Sequence, residues 1–502
     1  MNRGILAIVG CMVMAALASP SAGIAAPRRD VVLEAQLLTH IRALASDDFG
    51  GREPGTEGEA KTLRYLAHEW FQIGLVSGTN TPGHEWFAPV TLIAREAASS
   101  SALFARKGRR QYVPRDAVLM LTSGRRSLVK DAPLLFVGKG LEFRDGGTLP
   151  ARNELAGRVA LLLDGGADNS ERQNALLAAG ASAVLTVLDG ERTLDSVAAR
   201  RRRSGYALAD DKVGGDLEGF ITREGAQALL QGGARSLAAL EVAAAAPGFA
   251  PQPLDLTATL EATTSETTIK SHNLIGKLPG RRPDAGAVLF LAHWDGFGTC
   301  AEPPAEDTIC NGAIDNASGL AVLTEVARRL SRLPPMDRDV YFLATTAEEL
   351  GLLGAHAFAE NPPLPLAQIV AAFNIDSFAI APAGTPLAIL GKGTTALDTQ
   401  IELVARQQKR KLVDGAAVNA YVRRQDGWAL QQHDIPAVMV TSAYGELARL
   451  EKFFEGNYHR PKDDLSQQIE LGGAAEDVAF HVALARWFAD PRRVPRRADK
   501  AK

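Results

Sequence analysis

The chain has 502 residues, 46% of them hydrophobic and 23% charged, with a formal net charge of −3. This length exceeds a single ordinary core and predicts two or three domains. The near-balanced charge gives no electrostatic footing for a nucleic-acid or membrane-surface partner, so a small or neutral partner is expected.

The N-terminal stretch MNRGILAIVGCMVMAALASPSAGIAAPRRD has an early arginine, an apolar centre and a small-residue exit. This is the pattern of a secretory signal peptide over residues 1–25, cleaved after Ala25. A lipid anchor at Cys11 would have only about six apolar residues ahead of it, short of the usual apolar region. No later run reaches the roughly 18 apolar residues that span a bilayer. The expectation is therefore an exported protein, periplasmic or secreted, soluble after cleavage and without a membrane span.

Next, LLTHIRALASDDFGGREPGTEGEAKTLRYLAHEWFQIGLVSG reads as two helices around a Gly-rich turn containing Arg52, Pro54 and Gly55. From about residue 131 the short apolar runs APLLFVG, RVALLLDG and ASAVLTVLDG predict a smaller strand-rich module over 131–259. In it, QNALLAAGASAVLTVLDG reads as helix then strand, and the arginines Arg200 to Arg203 read as a solvated loop. The flanking segments, 26–130 and 260–490, then form one discontinuous domain. Its runs AVLFLAH, DVYFLAT, IVAAFNID and IPAVMVTS end in polar residues, as buried strands of a mainly parallel or mixed sheet do. Helical stretches such as ASGLAVLTEVARRLSRL lie between them, giving an α/β fold. Residues 491–502 read as a basic, Pro-broken, disordered tail.

Cys300 and Cys310 are the cysteines left after processing, in the loop TCAEPPAEDTIC. An oxidising compartment favours a disulfide there, the alternative being two free thiols. Neither sits in a zinc-ligand pattern.

Open α/β sheets bind ligands at the carboxyl ends of their strands. At those ends stand His293 and Asp295 in AHWDG, Glu348 and Glu349 in TTAEELG, and Asp376 in FNIDSF. Asp315 in NGAIDNASG and His459 in GNYHRPKDD add a further acid and a second imidazole. Unpaired acids crowded in a dry crevice raise their pKa values or recruit cations. Three carboxylates and two imidazoles suit two zinc-type ions, one carboxylate bridging them. On a helix the neighbours Glu348 and Glu349 would point about 100° apart, so each faces a different partner.

In their order along the chain, AHWDG, IDNASG, TAEELGLLG, NIDS and YHRPKDD resemble the M28 family of co-catalytic zinc exopeptidases over roughly residues 270 to 465. SDDFGGREPGTEGEAKTLRYL is similar to the N-terminal segment of its bacterial members, and the 131–259 module resembles a protease-associated domain. The resemblance implies an aminopeptidase acting on peptide chain ends with two Zn²⁺ ions. Asp315 would bridge them, His293 and Asp376 completing one site and Glu349 and His459 the other. Glu348 would be the general base, Asp295 would hydrogen-bond the His293 imidazole, and Tyr458 would be a candidate oxyanion stabiliser. One departure falls at RRQDGWALQQHDIPAVMV, where Asp426 is kept but Gln425 and Gly427 replace the family's Ser and His, leaving the substrate-facing wall open. A carboxypeptidase, for which Arg423 or Arg424 would bind the terminal carboxylate, and a single-zinc glutaminyl cyclase are the competing enzyme readings. A receptor-like binding protein would lack ligands, and all five positions are filled.

Overall fold

The computed structural model describes residues 29–80, 83, 85–139, 150–165, 169–211, 216–301 and 303–496, apart from the side chains of 200 and 202–204. The expected signal peptide, Cys11 and residues 497–502 lie outside the described residues.

Four runs, buried at every position but Val370, form the parallel centre of the main sheet: Ala287–His293, Asp339–Thr345, Ile369–Asn374 and Ala437–Thr441. The first lies between the second and third, and the fourth joins the third. Antiparallel strands flank this centre, Ala388–Leu390 at one side and the end of Gln252–Leu278 at the other, so the sheet is mixed. Helices cover it, among them Val31–Leu44, Glu57–Gln72, Gly319–Ser331 and Gly472–Phe488. The two N-terminal helices start at capping side chains, Asp30 accepting from the Leu33 amide and Thr56 from the Gly58 amide, which supplies partners for otherwise orphaned amides. Phe290 packs between Phe342 and Phe373, with ring centroids 6.0 and 5.3 Å apart, at the centre of this core.

Two long strands, Phe87–Arg106 and Gln252–Leu278, run antiparallel and carry this sheet on, without a break in strand pairing, into a second group of strands. Between residues 263 and 270 the second of them has no buried side chain, whereas Leu256, Ala258, Leu260 and Ala262 point alternately into a separate core. A solvated ribbon between two dry clusters is the physical mark of an inserted unit. Its parallel strands Val159–Leu163, Ala183–Val187 and Leu217–Ile221 follow Arg126–Phe136. The core of this unit also takes in Phe104 and Met120, so as packed it begins well before the expected residue 131. The long strands read poorly as a boundary because each serves both cores.

Two local expectations are corrected. Arg200 to Arg203 belong to the helix Leu194–Ser204, not to a loop. The Thr193 hydroxyl caps it by accepting from the Ser196 amide, and alanine and arginine are good helix formers. The tail expected from 491 is packed down as far as it is described: the Val494 carbonyl accepts from Arg338 Nη2, and the Arg493 guanidinium lies 4.4 Å from the Trp487 ring centroid.

His481 sits in the core against Phe290, Phe373 and Phe378. Its Nδ1 is 2.8 Å from the Asp477 carbonyl and its Nε2 has no hydrogen bond. Burial pushes its pKa down to about 4, below the roughly 6.5 of an unfolded chain. The unfolded state therefore binds the extra proton between these values, and stability present above pH 6.5 is lost as pH falls toward 4. Urea unfolding at pH 7 and pH 5 should show a fall in stability that is smaller in His481→Leu by about 2 kcal/mol. Equal falls in the two proteins would refute this.

Candidate metal centre

The site is assembled from the carboxyl edge of the parallel strands. His293 closes Ala287–His293, and Asp376 follows Ile369–Asn374 by two residues. Asp315 lies in the irregular turn Ala313–Ser318 that leads into the helix Gly319–Ser331. His459 comes from the loop after the helix Leu447–Gly456. Glu348 and Glu349 lie on a tight turn between Thr345 and the helix Leu353–Glu360. The helical geometry expected for the pair is thus not what separates them; a turn with Ala347 at φ +52° does so.

The five expected ligands converge. Asp315 spans the centre: its Oδ1 is 3.1 Å from His293 Nε2 and its Oδ2 is 3.3 Å from His459 Nε2. Glu349 Oε2 is 3.0 Å from His459 Nε2, and Asp376 Oδ1 is 3.6 Å from His293 Nε2. Glu348 groups with His293 and Asp376 closely enough for all three to offer an atom to one ion. His459 Nε2 is buried and makes no well-directed hydrogen bond despite these carboxylates. Its Nε2 lies 3.3 Å from Asp315 Oδ2 and 3.0 Å from Glu349 Oε2, which is the arrangement a cation would join.

Electrostatics agree with that fit. Burial drives Glu348 well above the carboxylate range, opposed by His293. Burial and the neighbouring Asp315 raise Glu349 to about 7, while His459 opposes the rise. Burial would also raise Asp315, but the two imidazoles outweigh it and hold the carboxyl below its usual range. Burial disfavours the imidazolium form of His459, yet Asp315 and Glu349 lift its pKa to about 9. Histidine nitrogens and carboxylate oxygens in this number suit zinc-class divalent ions.

Asp295 does more than was expected of it. Its carboxylate lies 3.6 Å from His293 Nδ1, farther than its own main-chain oxygen at 3.2 Å. Its two oxygens accept the amides of Glu348 at 3.1 Å and Glu349 at 3.3 Å. Asp295 therefore clamps the turn that carries both glutamates. Tyr458 stacks on His459, centroids 3.6 Å apart, and its hydroxyl accepts from Arg424 Nη2 at 3.2 Å. Burial and nearby carboxylates raise the phenol well above its ordinary range, so it stays a donor. Arg424 also lies over the rings of Tyr421 and Phe454.

Three supporting residues were not legible as such. Asp463, in the YHRPKDD run, accepts the amides of Ile314 and Asp315 at 2.9 and 3.0 Å and so sets the Asp315 turn. Asp426 is buried, accepts a hydrogen bond from Thr345 Oγ1, and is raised to about 7 chiefly by burial. It belongs to the wall of the cluster. Arg52 is fully buried and donates to the carbonyls of Trp294, Leu44 and Gly312 at 2.9, 2.9 and 3.1 Å, and to that of Asn311. Gly312, at φ +58°, leaves room for this: a Cβ there would lie 2.6 Å from Arg52 Nη2. The available signal was a cation set within a Gly-rich turn, GGREPG. Arg52→Met should strand these buried carbonyls and cost about 3 kcal/mol or more in chemical unfolding. A loss under about 1 kcal/mol would contradict the pinning role.

Fold and donor set together define an α/β protein with side chains that could hold a metal gathered at the carboxyl ends of parallel strands. Residues 273–483 match Peptidase family M28. Aminopeptidase YwaD of Bacillus subtilis (strain 168) is 29% identical over 251 residues, which are 49% of this chain and 44% of that protein. The alkaline phosphatase isozyme conversion protein of Escherichia coli (strain K12) is 33% identical over 96 residues, 18% of this chain and 25% of its own. These alignments span less than half of the curated relatives. The fold is that of the aminopeptidase from Aneurinibacillus sp. strain AM-1, with TM-score 0.53 and 20% identity over 91% of this chain and 93% of that one.

Proposed function

We propose that this protein is a metal-dependent aminopeptidase that removes N-terminal residues from peptides. The observation that carries the reading is the Asp315 carboxylate set between two imidazoles, with Glu349 and Asp376 beside them. In this reading two zinc-class ions are held, one by His293, Asp315 and Asp376 and the other by Asp315, Glu349 and His459. When bound, such ions supply Lewis acidity and lower the pKa of a water at the site. Glu348 takes the proton from the attacking water and passes it to the leaving amine, a role its raised affinity for a proton suits. Asp295 keeps Glu348 and Glu349 in register through their amides, and the protonated Tyr458 phenol is a donor available to the developing oxyanion.

The N-terminal apolar segment and the bonded Cys300–Cys310 pair, whose Cα atoms are 5.7 Å apart, support action in an oxidising compartment outside the cytoplasm. Among the described residues no helix is long and apolar enough to cross a membrane. The inserted unit is proposed to be a protease-associated domain. Relatives named aminopeptidases favour the amino end of the substrate. The carboxypeptidase reading rests on Arg424, whose guanidinium adjoins Tyr458. Hydrolysis of aminoacyl chromogenic amides by zinc-loaded protein, abolished by chelator and by N-acetylation of the substrate, is the expected result. Cleavage that requires a free carboxylate instead would reverse the assignment.

A further inference from the structure

Beside the metal centre is a cavity of about 400 Å³ with His459 in its wall. It is built by three separate parts of the chain. The N-terminal turn supplies Glu53 and Pro54, the disulfide loop supplies Phe297 and Cys300, and the inserted unit supplies Tyr206. Leu350, on the turn that follows Glu349, and Ile269, on the ribbon between the two cores, add further apolar surface. A volume of this size takes one amino-acid side chain with space to spare.

Among the described residues Glu53 is the one acid in this lining, which also carries the apolar and aromatic side chains of Tyr206, Ile269, Phe297 and Leu350. Its carboxylate is seated against the loop backbone at Gly298, whose φ of +61° leaves no Cβ in the way. Among the described residues no hydrogen bond or ion pair occupies this carboxylate, in contrast to Glu59 on the following helix, whose carboxylate is engaged by the Gly55 amide and lies 3.2 Å from His272 Nδ1. The walls partly desolvate Glu53 and raise its pKa. An apolar channel ending in a free carboxylate matches a long aliphatic stem with a cationic head.

We infer that Glu53 is a specificity-determining residue that selects peptides with lysine or arginine beside the scissile bond. This rests on the peptidase reading above. The cavity meets the metal centre at His459, so a substrate whose carbonyl is held there directs a neighbouring side chain along Phe297 and Leu350 toward Glu53. The disulfide holds one wall and the inserted unit the other, which gives that unit a part in substrate choice.

The test compares Lys-Ala with Nle-Ala, and Ala-Lys with Ala-Nle, on zinc-loaded wild-type protein and Glu53→Gln. Lysine and norleucine share their aliphatic stem and differ in the terminal ammonium. The expected result is a kcat/KM ratio of at least about 10 in favour of lysine at one of the two positions, as a buried charge-assisted contact supplies, falling to near 1 in the variant. Equal rates for lysine and norleucine in wild type overturn the inference. An unchanged ratio in Glu53→Gln, with both substrates slowed alike, also overturns it, because Glu53 then serves the α-ammonium or the loop. Calorimetric binding of the same four peptides to wild type and Glu53→Gln in a Glu348→Gln background separates the two readings. If no peptide is cleaved but lysine peptides still bind more tightly in a Glu53-dependent way, the catalytic assignment fails and the pocket stands. Indifferent binding alongside active hydrolysis removes the pocket and leaves the peptidase.

Discussion

Glu348→Gln is expected to lower kcat on an aminoacyl amide by about 10² to 10⁴ while metal content remains unchanged. The amide keeps the shape of the side chain but cannot carry a proton between water and leaving amine. Its neighbour Glu349 cannot substitute, because Glu349 Oε2 is turned to His459 at 3.0 Å, whereas Glu348 groups with His293 and Asp376. The backbone should be undisturbed, since Asp295 holds residues 348 and 349 by their amides rather than by their side chains. Elemental analysis beside steady-state kinetics checks both halves. Near wild-type turnover would end the base assignment, and loss of metal would show Glu348 to be a ligand.

Asp315→Ala should remove metal and activity together. The one carboxylate faces both imidazoles, at 3.1 and 3.3 Å, so truncating it withdraws a donor from each site at once. It also removes a carboxylate that compensates charge on both His293 and His459. The folded structure should survive, because the turn itself is held by the Asp463 carboxylate on the amides of residues 314 and 315 and by Arg52 from the other side. Metal retained at two equivalents per chain would sink the bridging role. Asp315→Ala and Asp463→Ala are distinguishable: the latter attacks the turn and should lower stability as well as metal affinity.

The supporting shell explains why these two acids can be so exposed to repulsion and yet stay in place. Asp295, Asp463 and Arg52 all act through main-chain atoms, so the positions of the ligands depend on groups that never approach substrate. Sequence order alone brought out His293, Glu348, Glu349 and Asp376 because each stands close to where an apolar run stops, and strand ends in a parallel sheet share one edge, whereas Asp315 and His459 come from a turn and a loop. The turn geometry that separates the two glutamates is not written in their own stretch. The Thr-Thr-Ala-Glu-Glu run has no periodicity of its own, and the carboxylate that shapes it comes from residue 295, more than fifty positions away.

By itself the sequence determined the α/β sheet, its parallel centre and the chemical types of the site, because strand burial and side-chain chemistry are local properties of runs such as AVLFLAH and FNIDSF. Only the tertiary structure decided which atoms meet. It showed Asp315 between His293 and His459, Arg52 beneath them, Asp426 in the wall, and Glu53 facing a cavity shared by three distant segments. Those facts depend on long-range packing across the two long strands and the disulfide loop, where partners lie up to hundreds of residues apart and no local pattern records their approach.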